Sequence, residues 1–323
     1  MSPEKENRQI LSATVPLSVA GRRLDQALAA LFPAYSRSRL QQWIKAGRVT
    51  VNGRVLRGRA RLSGGERVVV EVVAEQAVSW QAQSLPLAVV YEDDSLLVIN
   101  KPPGVVVHPA AGNWDGTLVN ALLHHAPELE RLPRAGVVHR LDKDTSGLLV
   151  VARTLAAQKS LVAQLQARTV SREYAAVVVG ALVAGGTVDA PIGRHPVDRK
   201  RMAVVPRGKP AISHYRVQGR FRAHTHIAVR LETGRTHQIR VHLAHIRHPL
   251  VGDATYGGRA RLPSGAGDAL IQALRGFPRQ ALHARRLALR HPRRGEPVSW
   301  EAPLPDDICQ LLAALKADTD AQA

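Results

Sequence analysis

The hydrophobic and polar positions of the first quarter of the chain predict a small helix–helix–hairpin unit. Leucines spaced by three and four positions predict a helix between 24 and 31, and a second apolar stripe predicts another over 37–46, with Ser36 as its N-cap. Residues 49–55 are typical of a hairpin on an Asn-Gly turn, and the apolar run 67–72 predicts a closing strand.

The pattern also divides the chain. Residues 1–16 show no sustained periodicity, so we expect a weakly attached tail. Residues 76–86 lose both charge and periodicity, as a linker does. We therefore predict a first domain over 17–75 and a second over 87–323.

Strands dominate the predicted second domain. The predicted strands are 87–91, 96–100, 174–180, 214–217, 227–231 and 282–289, and the predicted helices are 117–125 and 154–167. Because strand and helix do not alternate regularly, we predict an α+β fold built on a mixed, largely antiparallel sheet.

One polar turn, 139–147, lies between the apolar runs 136–138 and 148–151, both of which predict strands. Its sequence is His-Arg-Leu-Asp-Lys-Asp-Thr-Ser-Gly, so Asp142 follows a strand and lies between two cations. These residue types are also ordinary for a β-turn held by side-chain to backbone hydrogen bonds. The turn alone therefore leaves a structural and a chemical role open.

Length and cysteine content limit the class of protein. A chain of 323 residues predicts about two domains, and its single cysteine, Cys309, cannot form an internal disulfide or a zinc site by itself. Neither a signal peptide nor a membrane span is predicted. We expect a soluble, cytoplasmic protein without a membrane partner.

Charge indicates the partner. The formal net charge is +19. Lys and Arg outnumber Asp and Glu by 11 to 3 over 17–72 and by 22 to 5 over 194–300, whereas 73–193 carry 9 against 11. Two basic blocks around a near-neutral middle that holds Asp142 favour a polyanionic partner, above all a nucleic acid.

The first domain resembles the α-L RNA-binding domain first described in a small-subunit ribosomal protein. The resemblance covers 22–70 and rests on Arg-Leu-Asp, Ser-Arg-Ser, Ile-Lys-Ala-Gly-Arg-Val and Val-Asn-Gly. Its basic residues would present one positive face to a phosphate backbone. The candidate RNA-binding residues are Arg22, Arg23, Arg37, Arg39, Lys45, Arg48 and Arg54.

Motifs spread over 87–305 resemble the RluA family of RNA pseudouridine synthases, and most closely its RluD branch, which modifies large-subunit ribosomal RNA. The turn 138–148 matches the family's signature. Further matches are 99–104, 172–174, 231–240, 248–253 and 280–284.

The resemblance implies a uridine-to-pseudouridine isomerase that flips its target base and needs no cofactor or metal. Asp142 would be the nucleophile or general base, and Arg240 would pair with it in bidentate fashion. Tyr174 would stack on the uracil and assist proton removal at C5, and Arg140 would fill the space left by the flipped base.

The remaining implied positions are Ile239 and Leu243, which would form the apolar wall of the site. Phosphate contact is the alternative for Arg240 and Arg140, and plain core packing for Tyr174, Ile239 and Leu243. The implied partner is large-subunit ribosomal RNA or the assembling subunit, and we expect a monomer.

Two other functions fit part of the sequence. Residues 137–145 also suit the Asp-x-Asp pattern of magnesium-dependent phosphatases, but 194–300 supply few further acids. A non-catalytic RNA-binding or ribosome-assembly factor could keep the same fold. The histidines at 237, 242, 245 and 248 lack acidic or thiol partners nearby, which favours structural or RNA contacts over zinc.

Overall fold

The computed structural model describes residues 8–33, 35, 37–73, 80–109, 113–258 and 260–322. Contacts divide the chain into two compact units, Met1–Ser79 and Trp80–Ala323. Each unit has hydrophobic clusters of its own. The helices found in the described ranges are all too short or too polar to span a lipid bilayer.

The first unit combines two helices with a four-stranded antiparallel sheet of order β1-β4-β2-β3. Its elements are β1 (Arg8–Thr14), α1 (Leu24–Leu31), α2 (Arg37–Lys45), β2 (Val49–Val51), β3 (Arg54–Val55) and β4 (Arg67–Val73). Asn52 and Gly53 both have positive φ, as the predicted two-residue hairpin turn requires. Ser36, the predicted N-cap, lies outside the described residues.

The structure corrects two predictions about the segments outside the predicted domains. The predicted tail is wrong over 8–14, because these residues form β1 and pair with β4. The segment has few large apolar residues, so the alternation of apolar and polar positions that predicts a strand is weak there. The predicted linker is wrong over 80–86, since Trp80 packs against the core of the second unit and Asn120 donates a hydrogen bond to the carbonyl of Gln81. Residues 76–79 lie outside the described residues.

The second unit is organised by a nine-stranded sheet of order β5-β6-β7-β14-β8-β13-β12-β9, with β15 on β14. Its strands are β5 (Val89–Glu92), β6 (Leu96–Lys101), β7 (Ser146–Ala152), β8 (Ser171–Val179), β9 (Gly186–Asp189), β12 (Ile212–Arg220), β13 (His224–Leu231), β14 (Leu282–Arg290) and β15 (Pro297–Glu301), and β10 (Ile192–Arg194) and β11 (Met202–Val204) form a separate hairpin. Among the strands of the described residues, only β7 and β14 pair in parallel, so the sheet is largely antiparallel, as predicted.

In the described part of this unit, five α-helices accompany the sheet: α3 (Leu118–His125), α4 (Leu155–Gln166), α5 (Gln238–His245), α6 (Asp268–Gly276) and α7 (Asp306–Asp320). The predicted strand over 136–138 is wrong. Pro133–Gly136 forms a short 3-10 helix in which Arg134, Ala135 and Gly136 have positive φ, and Val137 makes only an isolated bridge to Val151. The polar turn therefore runs from a loop into β7, which is buried along its whole length.

Candidate active site

A cleft of about 910 Å³ lies in the second unit, where the polar turn, β8 and the start of α5 meet. It is lined by five of the six residues predicted for the chemical site: Asp142, Tyr174, Arg240, Arg140 and Ile239. The sixth, Leu243, is buried in the hydrophobic core and is not part of the lining. Residues 98 positions apart in sequence thus meet at one cleft.

Asp142 and Arg240 are in direct contact, but not in the predicted geometry. Asp142 Oδ2 accepts one hydrogen bond from Arg240 Nη1, at 3.1 Å. The predicted bidentate pairing is wrong for Asp142 because Asp253 occupies that edge of the guanidinium. Asp253 accepts from Arg240 Nε at 2.7 Å and from Nη2 at 2.9 Å.

The three charged groups differ in burial. The side chain of Asp253 is 0% exposed, that of Arg240 9% and that of Asp142 16%. Burial of Arg240 favours its neutral form, but hydrogen bonds and charge from Asp253 and then Asp142 outweigh this effect and raise the pKa of the guanidinium. Arg240 is therefore a fixed cation at the base of the cleft.

His237 and Tyr256 complete the surroundings of this cation, and neither was a predicted site residue. The ring of Tyr256 lies 5.0 Å from Arg240 Cζ, a cation–π contact, and its hydroxyl is 2.9 Å from His237 Nδ1. His237 precedes α5 with a φ of 55° and places Nε2 3.9 Å from Asp142 Oδ1. Burial lowers the pKa of His237 against the attraction of Asp142, which favours the neutral imidazole.

Two buried cations donate hydrogen bonds to backbone carbonyl oxygens of the polar turn. Lys101 Nζ donates to the carbonyl of Lys143 at 2.9 Å, and Arg279 Nη1 donates to that of Asp144 at 3.1 Å. Burial lowers the pKa of Lys101 to about 8, partly offset by the charge of Asp144. Gly147 has a φ of 114°, and a Cβ there would lie 2.3 Å from the carbonyl oxygen of Ala284 in β14. These contacts fix the direction in which Asp142 leaves the turn.

Tyr174 lies on β8 opposite Ala284 and is almost fully buried. Burial raises the pKa of its hydroxyl, and the nearby charge of Asp142 raises it further, although Arg172 opposes both effects. The phenol is therefore protonated at neutral pH, with its ring in the hydrophobic core and its edge on the cleft.

Cations dominate the rest of the cleft lining. The arginines there are Arg134, Arg140, Arg168, Arg172, Arg235 and Arg240, against the two acids Asp142 and Glu232. Glu232 Oε1 is 2.7 Å from His214 Nε2, and its Oε2 accepts from Arg168 at 3.3 Å. Such a lining suits a phosphate-bearing substrate.

The basic residues predicted to bind RNA on the first unit fall into two groups. Arg22, Arg37, Lys45 and Arg54 are exposed, whereas Arg23, Arg39 and Arg48 are half-buried. Three of the seven also have internal contacts. Arg23 and Arg37 both donate to the buried carboxylate of Asp25, and Arg39 Cζ lies 5.3 Å from the centre of the Trp43 ring. The bonds from Arg23 and Arg37 are those that bear on Asp25. These bonds, with one from Gln41, outweigh burial and lower the pKa of Asp25.

Two other histidines of the dense run, His242 and His248, lie within hydrogen-bond distance of backbone or hydroxyl groups. His242 is buried, with Nε2 2.9 Å from the carbonyl oxygen of Ala190 and Nδ1 2.9 Å from Ser213 Oγ. His248 Nδ1 is 2.9 Å from the carbonyl oxygen of Val179. In the described part of the chain, no three His, Cys, Asp or Glu side chains group as metal ligands do.

Comparisons with known proteins show which family the chain resembles. The model of the RNA pseudouridylate synthase family matches residues 95–245, and that of the S4 domain matches residues 22–68. The chain is 60% identical over 310 residues to ribosomal large subunit pseudouridine synthase D of Pseudomonas aeruginosa, which covers 96% of this chain and 97% of that protein. The protein of the same name from Yersinia pestis is 59% identical over 311 residues, covering 96% of each chain.

A solved structure supports the same assignment. Human RNA pseudouridylate synthase domain containing 4 aligns with a TM-score of 0.58 and 26% identity, over 71% of this chain and 93% of that chain. The predicted family and the predicted α+β fold with a small RNA-binding domain in front are therefore confirmed. This chain belongs to the RNA pseudouridylate synthase family.

Proposed function

We propose that this protein converts specific uridines of large-subunit ribosomal RNA into pseudouridine. Its relatives from P. aeruginosa and Y. pestis are named for that activity and match almost the whole chain. The observation that carries the proposal is the Asp142 carboxylate, held by Arg240 in a cleft lined mainly by cations.

The reaction breaks the bond from ribose C1′ to uracil N1 and rejoins the base through C5, without net redox change or hydrolysis. It needs a carboxylate near the sugar, either to attack C1′ or to remove the 2′ proton. Asp142 supplies that group. Arg240 Nη1 holds Oδ2 through a hydrogen bond, and we assign the reaction no cofactor.

A uridine inside a helix cannot reach Asp142, so the base must leave its stack. Arg140 is exposed at the cleft and would occupy the vacated space with its planar guanidinium. Tyr174 and Ile239 would contact the uracil as apolar wall. We assign Tyr174 stacking on the uracil and a part in removal of the C5 proton. We assign Leu243 a packing role, because it lies in the hydrophobic core and outside the cleft lining.

The first unit would supply additional affinity for the RNA backbone. The S4 domain match spans 22–68, and Arg22, Lys45 and Arg54 are exposed there. The partner is ribosomal RNA, free or in the assembling subunit, and we propose that the protein meets it in the cytoplasm as a monomer. No observation favours the phosphatase alternative, since Asp142 pairs with Arg240 and Glu232 pairs with His214 and Arg168.

The direct test is to incubate the purified protein with large-subunit ribosomal RNA in the presence of EDTA and to map pseudouridine along the product. We expect a few discrete positions to be modified, and small-subunit RNA of equal concentration serves as the control. Absence of pseudouridine on every large-subunit substrate, free or in pre-ribosomal particles, would contradict the proposal. Mapping the same RNA in cells with and without the gene identifies the natural positions.

A further inference from the structure

The guanidinium of Arg240 is shared unequally between two carboxylates. An arginine usually gives a carboxylate two parallel hydrogen bonds from one edge of its planar group. Arg240 gives this edge to Asp253, with bonds of 2.7 and 2.9 Å, and offers Asp142 a single Nη1 at 3.1 Å. The stronger geometry therefore belongs to the carboxylate that is further from the cleft.

Asp253 is itself immobile. Besides the bonds from Arg240, its Oδ1 accepts from the backbone N–H of Thr255 at 2.9 Å and of Tyr256 at 3.0 Å. The residue before it, Gly252, has a φ of 73°, and a Cβ there would lie 2.0 Å from the carbonyl oxygen of Arg279. A fully enclosed carboxylate with this many donors fixes whatever is bonded to it.

The aromatic ring of Tyr256 restricts the position of the Arg240 guanidinium on one face, because the ring centre lies 5.0 Å from Cζ. The Tyr256 hydroxyl accepts from the backbone N–H of Met202 at 3.0 Å. With one edge held by Asp253 and one face covered by Tyr256, the Nη1 of Arg240 can point in only one direction.

This arrangement leaves half of the Asp142 carboxylate unbonded by Arg240. Oδ2 receives the single bond, while Oδ1 lies 3.9 Å from His237 Nε2, beyond hydrogen-bond distance. A carboxylate locked in a two-bond ion pair would have less electron density to give to a reacting carbon or proton. Because Asp253 occupies the two-bond edge of Arg240, Asp142 cannot form such a two-bond ion pair.

We infer that Asp253 is a positioning residue for the reaction: it holds Arg240 so that one N–H orients Asp142 and the second oxygen of Asp142 stays available. The inference rests on the proposed function. Asp253 touches no substrate, so its loss should change the rate of the chemical step rather than the affinity for RNA.

The test measures pseudouridine formation in single-turnover reactions with enzyme in excess over ribosomal RNA. We expect Asp253→Asn to lower the rate constant about 100-fold, as small misplacements of a reacting group do, and to leave the Kd for RNA within about threefold of the wild-type value. In an Arg240→Lys background, where the fork is already lost, Asp253→Asn should lower the rate less than about threefold further.

The matched control is Asp93→Asn. Asp93 also accepts several bonds inside this unit, from Tyr91 at 2.7 Å and from His291 at 2.8 Å, but it lines neither cavity near Asp142. We expect this variant to lower Tm and to keep the rate constant within about threefold of wild type.

A second variant covers the case in which Asp253→Asn does not fold. Asp253→Glu keeps the charge but moves the carboxylate by about one bond length, roughly 1.5 Å, so we expect at least about a tenfold loss of rate. Three results would each overturn the inference: a folded Asp253 variant with the wild-type rate, an undiminished effect of Asp253→Asn in the Arg240→Lys background, or an equal rate loss in Asp93→Asn. If the wild-type protein itself made no pseudouridine, the proposed function would fail and the role of Asp253 with it.

Discussion

Two buried arginines, Arg240 and Arg279, contact the polar turn. Both make the same two-bond contact with an aspartate, but their third N–H group binds a different kind of acceptor. Arg240 and Arg279 each give the Nε–Nη2 edge to one aspartate, Asp253 and Asp307 respectively. The remaining Nη1 of Arg240 reaches the side chain of Asp142. That of Arg279 reaches main-chain carbonyl oxygens, one of them in the same turn.

The difference separates orientation of a reactive group from support of a backbone. A bidentate aspartate makes each arginine rigid, and what the third N–H contacts decides what the rigidity achieves. We therefore expect damage around Arg279 to appear mainly in stability, and damage around Arg240 mainly in the rate of pseudouridine formation.

Among the variants proposed here, Gly147→Ala should cause the largest loss of stability, because its Cβ forces the turn away from β14. The φ of 114° and a Cβ only 2.3 Å from the carbonyl oxygen of Ala284 predict a fall in the free energy of unfolding of about 4 kcal/mol. Gly295→Ala is the control, because its φ is also positive, at 73°, but its Cβ meets no atom within 4 Å; about 1 kcal/mol is expected there. Equal losses in urea unfolding would mean that the contact with β14 does not hold the turn.

Asp307→Asn should be the next largest. It removes the partner of the buried Arg279, although Asp307 itself is half-buried. We expect the free energy of unfolding to fall by about 2 kcal/mol, with less than about a tenfold loss of rate. The exposed neighbour, changed as Asp306→Asn, should cost less than about 1 kcal/mol. A 100-fold loss of rate with unchanged stability in Asp307→Asn would erase the distinction between the two arginines.

His139, the first residue of the polar turn, should make the free energy of unfolding depend on pH. Its Nε2 accepts from the backbone N–H of Val150 at 3.1 Å, and burial, with the charge of Arg172, lowers its pKa to about 3. Between pH 6.5 and 3 the unfolded chain binds a proton that the folded chain does not, so this contribution to stability is lost as the pH falls. We expect the drop in unfolding free energy from pH 6.5 to 4.5 to be about 2 kcal/mol smaller in His139→Gln; parallel pH curves would disprove this role.

The smallest effect should come from exposed cations of the first unit. Replacing Lys45 and Arg54 of the first unit by Gln should weaken RNA binding by roughly 1 kcal/mol and flatten its salt dependence by about 0.7 for each lost phosphate contact, without changing the single-turnover rate. A double variant at Arg57 and Arg59 removes the same charge from the same unit. If both pairs lowered the salt slope equally, net charge rather than specific contact would explain the affinity.

The sequence predicted the site more fully than it predicted the fold around it. The motif that contains Asp142 and the motif that contains Arg240 are each compact in sequence. Their resemblance to RNA pseudouridine synthases, and not the residue types alone, implied the pair. The strand over 136–138 was predicted wrongly because its apolar residues look extended, whereas positive φ angles from Arg134 to Gly136 turn the chain.

The sequence could not predict that Asp253, and not Asp142, accepts two hydrogen bonds from Arg240. Residues 248–253 matched the family motif, but nothing in the spacing shows which of two aspartates faces the two-bond edge of an arginine. That choice depends on how the loop after α5 folds under Arg240, where Oδ1 of Asp253 also meets the N–H groups of Thr255 and Tyr256. Sequence periodicity carries no information about such a loop.

The most direct measurement of the central claim compares Asp142→Asn with the wild-type protein, using one preparation of each for both pseudouridine formation and RNA affinity. The amide keeps the shape of the side chain but cannot act as a nucleophile or a base. We predict a rate below about one-thousandth of the wild-type value, with a Kd for ribosomal RNA within a few-fold of it. Pseudouridine formation at a rate near that of the wild-type protein would contradict the account, because it would remove Asp142 from the reaction.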